Sequence, residues 1–299
     1  MGKKNASSVK NKNSQMRVFW RTFFSRGIIV KISLAVAIIF VLVSLLADPI
    51  NRFLLHQDPL AVDLMNLFAD PSSEHLLGTD LYGRDILARI VSGAQMSLIC
   101  SVFSCLLGAV IGIILGLIAG YFEGLIGTII MRYVDIQMSI PSLIFIIVIS
   151  LITGESLFGV IMALAFGLIP NFVRVMYSLV LQLKGSDYVT AAKLIGVSEA
   201  KIMMKHILPN TFPSMIVMFT MSLGSNIMLE STLSFLSIGI KVPTPSWGNM
   251  ISEGYSYIIR GELMLSFAPG VCLMLVVIAF NILGDALRDS LDPRLRGKI

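Results

Sequence analysis

Six long apolar stretches constrain the fold of this chain more than any other feature of its sequence. Each stretch reaches the length of about 20 residues that a helix needs to cross the hydrocarbon core of a bilayer. A helix satisfies its own backbone hydrogen bonds in lipid, so the pattern predicts an all-α membrane protein with six transmembrane helices. The predicted spans are Ile28–Ala47, Ser97–Ala119, Ile126–Ile152, Leu157–Val180, Phe212–Ile240 and Leu263–Leu287.

The composition agrees with a chain that lies in lipid. Charged residues make up 14% of the sequence, and the mean hydropathy is +0.85. A soluble domain carries about 25% charged residues. The pI of about 9.2 does not indicate a nucleic-acid partner, because basic residues collect in the cytoplasmic loops of membrane proteins.

The distribution of Lys and Arg predicts the orientation in the membrane. Most of the 23 basic residues lie before the first span, in the connection between the fourth and fifth spans, and after the sixth. The predicted outer side holds only Arg52, Arg84, Arg89, Lys241 and Arg260. Both termini are therefore expected in the cytoplasm, which agrees with six spans.

This map divides the chain into four parts. Residues 1–27 form a basic cytoplasmic tail, and residues 28–95 comprise the first span and an extracytoplasmic loop. Residues 96–290 form the transmembrane core, which includes a cytoplasmic loop at 184–210, and residues 291–299 form a cytoplasmic tail.

The sequence offers no candidate for catalysis or for metal binding. The motifs G-x-S-x-G and H-E-x-x-H are absent, as is the phosphate loop G-x-x-x-x-G-K-[ST]. If transport is driven by ATP, the ATPase must be a separate chain, and this chain is expected to bind no cofactor. The cysteines lie in apolar runs and the histidines are far apart: Cys100, Cys105, Cys272, His56, His75 and His206.

Glycine recurs at every fourth position in the second span, at Gly108, Gly112, Gly116 and Gly120. Such a strip lets another helix approach closely. It indicates packing either within this subunit or against a second membrane subunit.

Polar residues within the apolar spans are costly, and they face a cavity or a partner. Glu230 lies deep in the fifth span, one turn after Asn226. Both are candidates for lining a pathway, and structural pairing is the alternative. Arg132, Asp135 and Arg174 lie near cytoplasmic helix ends, where snorkelling or pairing suffices.

The loop at 184–210 predicts two short helices. Ser186 or Asp187 can cap the first helix, Gly196 can end it, and Ser198 can cap the second, which should break near Pro209. Tyr188, Ala192 and Ile195 recur at helical spacing and predict an apolar face. This face would dock in a groove on another protein, or lie on the lipid surface.

Four motifs resemble one family. The loop resembles the coupling motif of bacterial ABC-importer permeases, through Ala191, Ala192, Gly196 and the Ile207–Asn210 ending. The glutamate of that motif is replaced by Thr190. Three further segments resemble the C-type permease subunit of the dipeptide, oligopeptide and nickel importers: His75–Asp85, Leu233–Met250 and Gly284–Arg296. Gln95 departs from an arginine frequent in that family.

The resemblance implies a type I ABC importer permease in the inner or plasma membrane of a bacterium. It implies a second, different permease, two ATP-binding subunits that use ATP and Mg²⁺, and an extracytoplasmic solute-binding protein. The residues expected to couple to an ATPase are Asp187, Tyr188, Ala191, Ala192, Gly196, Ser198 and Lys201. Short peptides are the expected cargo, and glutathione and nickel remain alternatives.

Two other classes of function are weaker. An ion-coupled secondary transporter should show repeated halves with broken helices, and the sequence has no convincing repeat. A membrane scaffold without transport would leave the loop at 184–210 and Glu230 unexplained.

Overall fold

The computed structural model describes residues 19–24, 27–154 and 156–291. The basic residues before residue 19, Arg26 and the tail at 292–299 lie outside the described residues. From residue 28 onward, the α-helices of four or more residues are α1 (Ile28–Leu45), α2 (Ile86–Phe122), α3 (Gly124–Ser139), α4 (Ser142–Thr153), α5 (Leu157–Lys184), α6 (Asp187–Leu194), α7 (Glu199–Ile202), α8 (Leu208–Phe235), α9 (Trp247–Tyr255) and α10 (Met264–Leu291).

Five of the six predicted spans are single helices that are long and apolar enough to cross a membrane. The third is a bent pair, because α3 and α4 meet at an angle of 99°. Proline disfavours helical backbone in the residue before it, and Ile140, which precedes Pro141, is extended at φ −92° and ψ 132°. The third predicted span, Ile126–Ile152, is therefore two helices joined at a sharp bend.

The second helix extends far beyond its predicted start. α2 has 37 residues, which corresponds to about 55 Å at 1.5 Å per residue. Asp85 caps its first turn by accepting a hydrogen bond from the Ala88 backbone amide at 2.7 Å. The predicted start at Ser97 was late because the first turns of α2 contain Arg89 and small polar residues.

The glycine strip of α2 packs against α5. A Cβ atom at Gly116 would lie 2.6 Å from the Val173 carbonyl oxygen, and one at Gly120 would lie 2.8 Å from the Val180 Cβ. Packing within the subunit, one of the two readings of the strip, is therefore what the structure contains. The two backbones approach closely only because these positions lack side chains.

The break predicted at Pro209 is absent. Glu199–Phe235 is one continuous apolar helix, in which a π-helical turn at Met203–Ile207 joins α7 to α8. Pro209 directly follows this π-helical turn, as the second residue of α8, and a π turn of this kind interrupts the α-helical hydrogen-bond pattern without ending the helix. The span also ends at Phe235 rather than at the predicted Ile240.

Trp247 begins α9 and is buried inside the protein. Its ring is 2% exposed and packs on Phe40 with centroids 5.1 Å apart. The indole N–H donates to the Ile90 carbonyl at 3.0 Å. Trp247 therefore ties the outer connection to α1 and α2.

Candidate functional site

An open groove of about 750 Å³ runs along one face of the helix bundle. α8 supplies more of its wall than any other helix, through residues three or four positions apart that include Ser214, Met218, Ser222 and Ser225. α4 and α5 contribute Ser142 and Asn171, and α10 contributes Arg288 and Leu291. The volume lies within the range of about 300–1,000 Å³ that is typical of small-molecule sites.

Asn226 and Glu230 do not face this groove. Each follows a groove residue by one position, which turns its side chain about 100° around the helix. Both are fully buried. The Asn226 amide donates to the Ser104 hydroxyl at 2.6 Å and to the Ser101 carbonyl at 3.0 Å.

Glu230 accepts a hydrogen bond from the Ser234 hydroxyl at 2.8 Å. Ser101 and Ser104 belong to α2, so Asn226 lies in the contact between α2 and α8. In this single chain, both pathway candidates are therefore buried in hydrogen-bonded positions and do not line the groove.

The cytoplasmic loop predicted at 184–210 folds as a helix, a turn and a second helix. Gly196 has φ +78°, a conformation that glycine adopts without strain. Its amide donates to the Lys193 carbonyl at 3.0 Å, and the Val197 amide donates to the Ala192 carbonyl at 3.1 Å. These two bonds form a Schellman motif that ends α6, as Gly196 predicted.

The N-caps also lie where the sequence placed them. Ser186 precedes α6, and Ser198 precedes α7, both with extended backbone. Neither side chain makes a capping hydrogen bond. The hydroxyl of Ser186 instead donates to the Leu183 carbonyl.

The two faces of this loop differ in burial. Val189 and Ala192 turn inward and pack in a cluster with Ile202 and Ile207. Leu194 and Ile195 are 83% and 79% exposed. The predicted apolar face was therefore wrong at Ala192, since its methyl group holds the loop together from inside.

The other candidate residues of the loop remain on its surface. Asp187, Tyr188, Ala191, Ser198 and Lys201 are all exposed. Together with Leu194 and Ile195 they form what we term the loop face. A compact helical unit with exposed leucine and isoleucine is suited to a groove on another protein.

At the opposite end of the bundle, the segment His75–Asp85 builds a buried ion cluster. Asp80 accepts from the Arg84 Nε at 2.6 Å and lies 3.4 Å from the Arg89 Nε. Both arginines also contact Glu253 of α9, at 3.0 and 3.1 Å. Arg89 is 1% exposed, so the cluster fastens the outer loop to α2 and α9.

Comparison with known proteins decides the identity. Residues 112–297 match the family described as binding-protein-dependent transport system inner membrane component. The glutathione transport system permease protein GsiD of Escherichia coli O157:H7 is 37% identical over 286 residues, covering 96% of this chain and 94% of that protein. GsiD of Shigella sonnei shows the same values, and GsiD of Shigella dysenteriae serotype 1 is 36% identical over the same length.

The chain belongs to this family of permeases. It is a multi-pass inner-membrane permease subunit of an ABC importer, and not an enzyme. The resemblance to the dipeptide, oligopeptide and nickel importers is thereby confirmed at the level of the family. A permease of this kind works with ATPase subunits and with a solute-binding protein.

Sequence reasoning missed two features of the permease. The groove serines at 214, 222 and 225 recur at spacings of eight and three residues within an apolar span, a pattern that identifies a polar stripe. Arg89 and Glu253 are far apart in sequence, and only the contact between α2 and α9 brings them together. No short sequence pattern predicts that contact.

Proposed function

We propose that this permease imports short peptides and that the groove forms part of their path. The observation that carries the proposal is the chemistry of the groove wall. Hydroxyl and amide groups of Ser214, Ser222, Ser225 and Asn171 can bond to peptide amides. The Arg288 guanidinium at the end of α10 suits a carboxylate.

The cargo named for the relatives fits the same class of molecule. GsiD is named as a glutathione transport permease, and glutathione is a small peptide with free carboxylates. Glutathione therefore remains an alternative within the proposal. Nickel would require a different set of groups, because imidazole is a more suitable ligand for that ion than a hydroxyl group.

A second, different permease is proposed to complete the path. Ser225 and Asn171 are exposed in the single chain although they lie within apolar helices. Polar groups at this depth face a cavity or a partner rather than lipid. A heterodimer that closes over the groove would place them around an aqueous path.

The loop face is proposed as the contact with one of two ATP-binding subunits, which bind ATP and Mg²⁺ themselves. Tyr188, Leu194 and Ile195 would enter a groove of that subunit, while Asp187, Ala191, Ser198 and Lys201 surround them. Gly196 sets the turn, and Ala192 supports it from inside. The termini and this loop are assigned to the cytoplasm from the distribution of basic residues.

The test is transport by the complete importer in proteoliposomes, with the solute-binding protein supplied on the outside. Uptake and ATP hydrolysis are measured with a dipeptide, with glutathione and with Ni²⁺. Stimulation by either peptide supports the proposal. The peptide that stimulates shows whether the cargo is a dipeptide or glutathione. Stimulation by Ni²⁺ alone would overturn the peptide cargo but leave the importer.

A pair of variants on α8 tests the groove itself. Ser225→Phe places a large ring on the groove wall, whereas Met228→Phe places the same ring at a position on the same helix that does not line the groove. We expect uptake to fall by roughly tenfold or more only for Ser225→Phe, as expected when a ring fills a pathway without unfolding the helix. Equal uptake by both variants would contradict a path through this groove.

A further inference from the structure

Two apolar side chains stand out from the tip of the outer loop. Leu64 is 69% exposed and Met65 is 93% exposed. They occupy the turn at 63–66, which is closed by a hydrogen bond from the Asn66 amide to the Asp63 carbonyl at 3.2 Å. We refer to Leu64 and Met65 as the outer knob.

The outer knob is held in one shape by its own turn. The Asp63 carboxylate accepts hydrogen bonds from the Met65 amide at 3.0 Å and from the Asn66 side chain at 2.8 Å. These donors stabilise the carboxylate and lower the pKa of Asp63 below its ordinary value. The turn therefore keeps its negative charge at neutral pH.

The turn is hydrogen-bonded to the segment that carries the buried ion cluster. The Asp63 amide donates to the Tyr82 carbonyl at 3.1 Å, and the Phe68 amide donates to the Asp80 carbonyl at 3.2 Å. Asp80 is fixed in turn by Arg84 and Arg89. An apolar group presented on a fixed support loses little conformational entropy when a partner covers it.

The surface around the outer knob is acidic. Of the acidic residues in this loop, Asp80 and Asp85 are buried and paired. The exposed ones are Asp48, Asp58, Asp63, Asp70 and Glu74; we call the last four the acidic rim. Anionic lipid headgroups repel such a surface, so the bilayer is a poor partner for the knob.

We propose that the outer knob and the acidic rim dock the extracytoplasmic solute-binding protein, through an apolar pocket on that protein bordered by Lys or Arg. This inference rests on the proposed function and orientation, which place the loop outside the membrane. Apolar contacts at the centre of an interface supply most of its affinity. The charged rim sets the rate of association and the choice of partner.

The first test is site-specific photocrosslinking in the assembled importer. A photoreactive phenylalanine analogue replaces Met65, and another replaces Ile259, an outer residue that is 98% exposed in a different connection. The expected result is an adduct between position 65 and the solute-binding protein, identified by mass, that position 259 does not give. Adducts of position 65 with the second permease or with lipid alone would overturn the proposal.

The second test measures stimulation of ATP hydrolysis as the solute-binding protein is titrated. Met65→Ser should raise the concentration that gives half-maximal stimulation by roughly tenfold, the effect of truncating a central contact, and Ile259→Ser should not. Reversing the rim with Asp58→Lys, Asp70→Lys and Glu74→Lys should weaken stimulation most at low salt. The rate without binding protein should stay unchanged in all variants.

The outcomes separate this inference from the proposed function. If the wild-type importer responds to a peptide-loaded binding protein and Met65→Ser responds equally, the docking site is wrong and the importer stands. If wild type responds to no peptide, the cargo is wrong. The crosslink at position 65 then still decides the docking site, because it requires no transport.

Discussion

The two ends of this permease use charged residues in opposite ways. In the outer loop, Asp80, Arg84 and Arg89 are buried and bonded to one another and to Glu253. In the loop face, which we assign to the cytoplasm, Asp187 and Lys201 are exposed, and backbone hydrogen bonds around Gly196 fix the shape of the loop.

The difference indicates what each end must do. Charges buried in pairs hold one geometry, because removing a partner leaves an uncompensated charge. Exposed charges beside the exposed Leu194 and Ile195 form a surface that another protein can contact. The buried ion cluster therefore fixes the loop that carries Leu64 and Met65, whereas the loop at 184–210 keeps its exposed residues on the surface.

The largest effect on stability is expected from Arg89→Met, which removes one member of the buried cluster. Asp80 and Glu253 then lose part of their compensation, and the cost should be about 3–5 kcal/mol. Thermal unfolding of the purified permease in detergent measures it. Arg52→Met, an exposed change in the connection between α1 and α2, is the control. Equal melting temperatures for the two variants would contradict the claim that the buried ion cluster stabilises this end of the permease.

A smaller effect on stability is expected at Gly196, where the backbone conformation of the turn, and not an ion pair, fixes the shape of the loop. Gly196→Ala meets no neighbouring atom within 4 Å, so its cost is the strain of positive φ alone, about 1–2 kcal/mol. Gly196→Pro also removes the bond to Lys193 and should cost more. Hydrogen exchange at residues 187–200 would report the loss locally. An unchanged exchange pattern in Gly196→Pro would refute the Schellman turn.

The smallest effect on stability, with a large effect on function, is expected from Leu194→Asp. The side chain is exposed, and surface changes of this kind stay within about 0.5 kcal/mol. Co-purification of the ATPase should nevertheless be lost. Ala192→Glu is the matched contrast: it forces a carboxylate into the packed inside of the loop and should loosen the loop first. If Leu194→Asp retained the ATPase, the loop face would be misassigned.

The ends of the two short helices in the loop at 184–210 could be predicted from the sequence. Gly196 and Ser198 predicted their positions because end signals of helices act over a few residues. Ala192 was placed on the wrong face, since the helical spacing alone fits either Tyr188 or Val189 as its neighbour. Only the packing of Ile202 and Ile207 against Val189 decides between them.

The apolar pattern predicted where the membrane helices lie, but it did not predict where they bend. Pro141 bends the third span and Pro209 leaves the fifth intact, although the two residues look alike in sequence. Pro209 directly follows a π-helical turn inside one continuous helix, and that turn changes the hydrogen-bond pattern without ending the helix. The outer cluster and the inward turn of Trp247 depend on contacts between distant elements, which no short pattern encodes.

One measurement tests the central claim, that the loop face is the cytoplasmic contact with the motor of the importer. A photoreactive analogue at Leu194 is activated in membranes that contain the assembled complex, and the adduct is identified by mass. The account predicts a covalent adduct with the ATP-binding subunit. An adduct with the solute-binding protein would reverse the orientation, and an adduct with lipid alone would place the loop on the bilayer; either result would contradict the account.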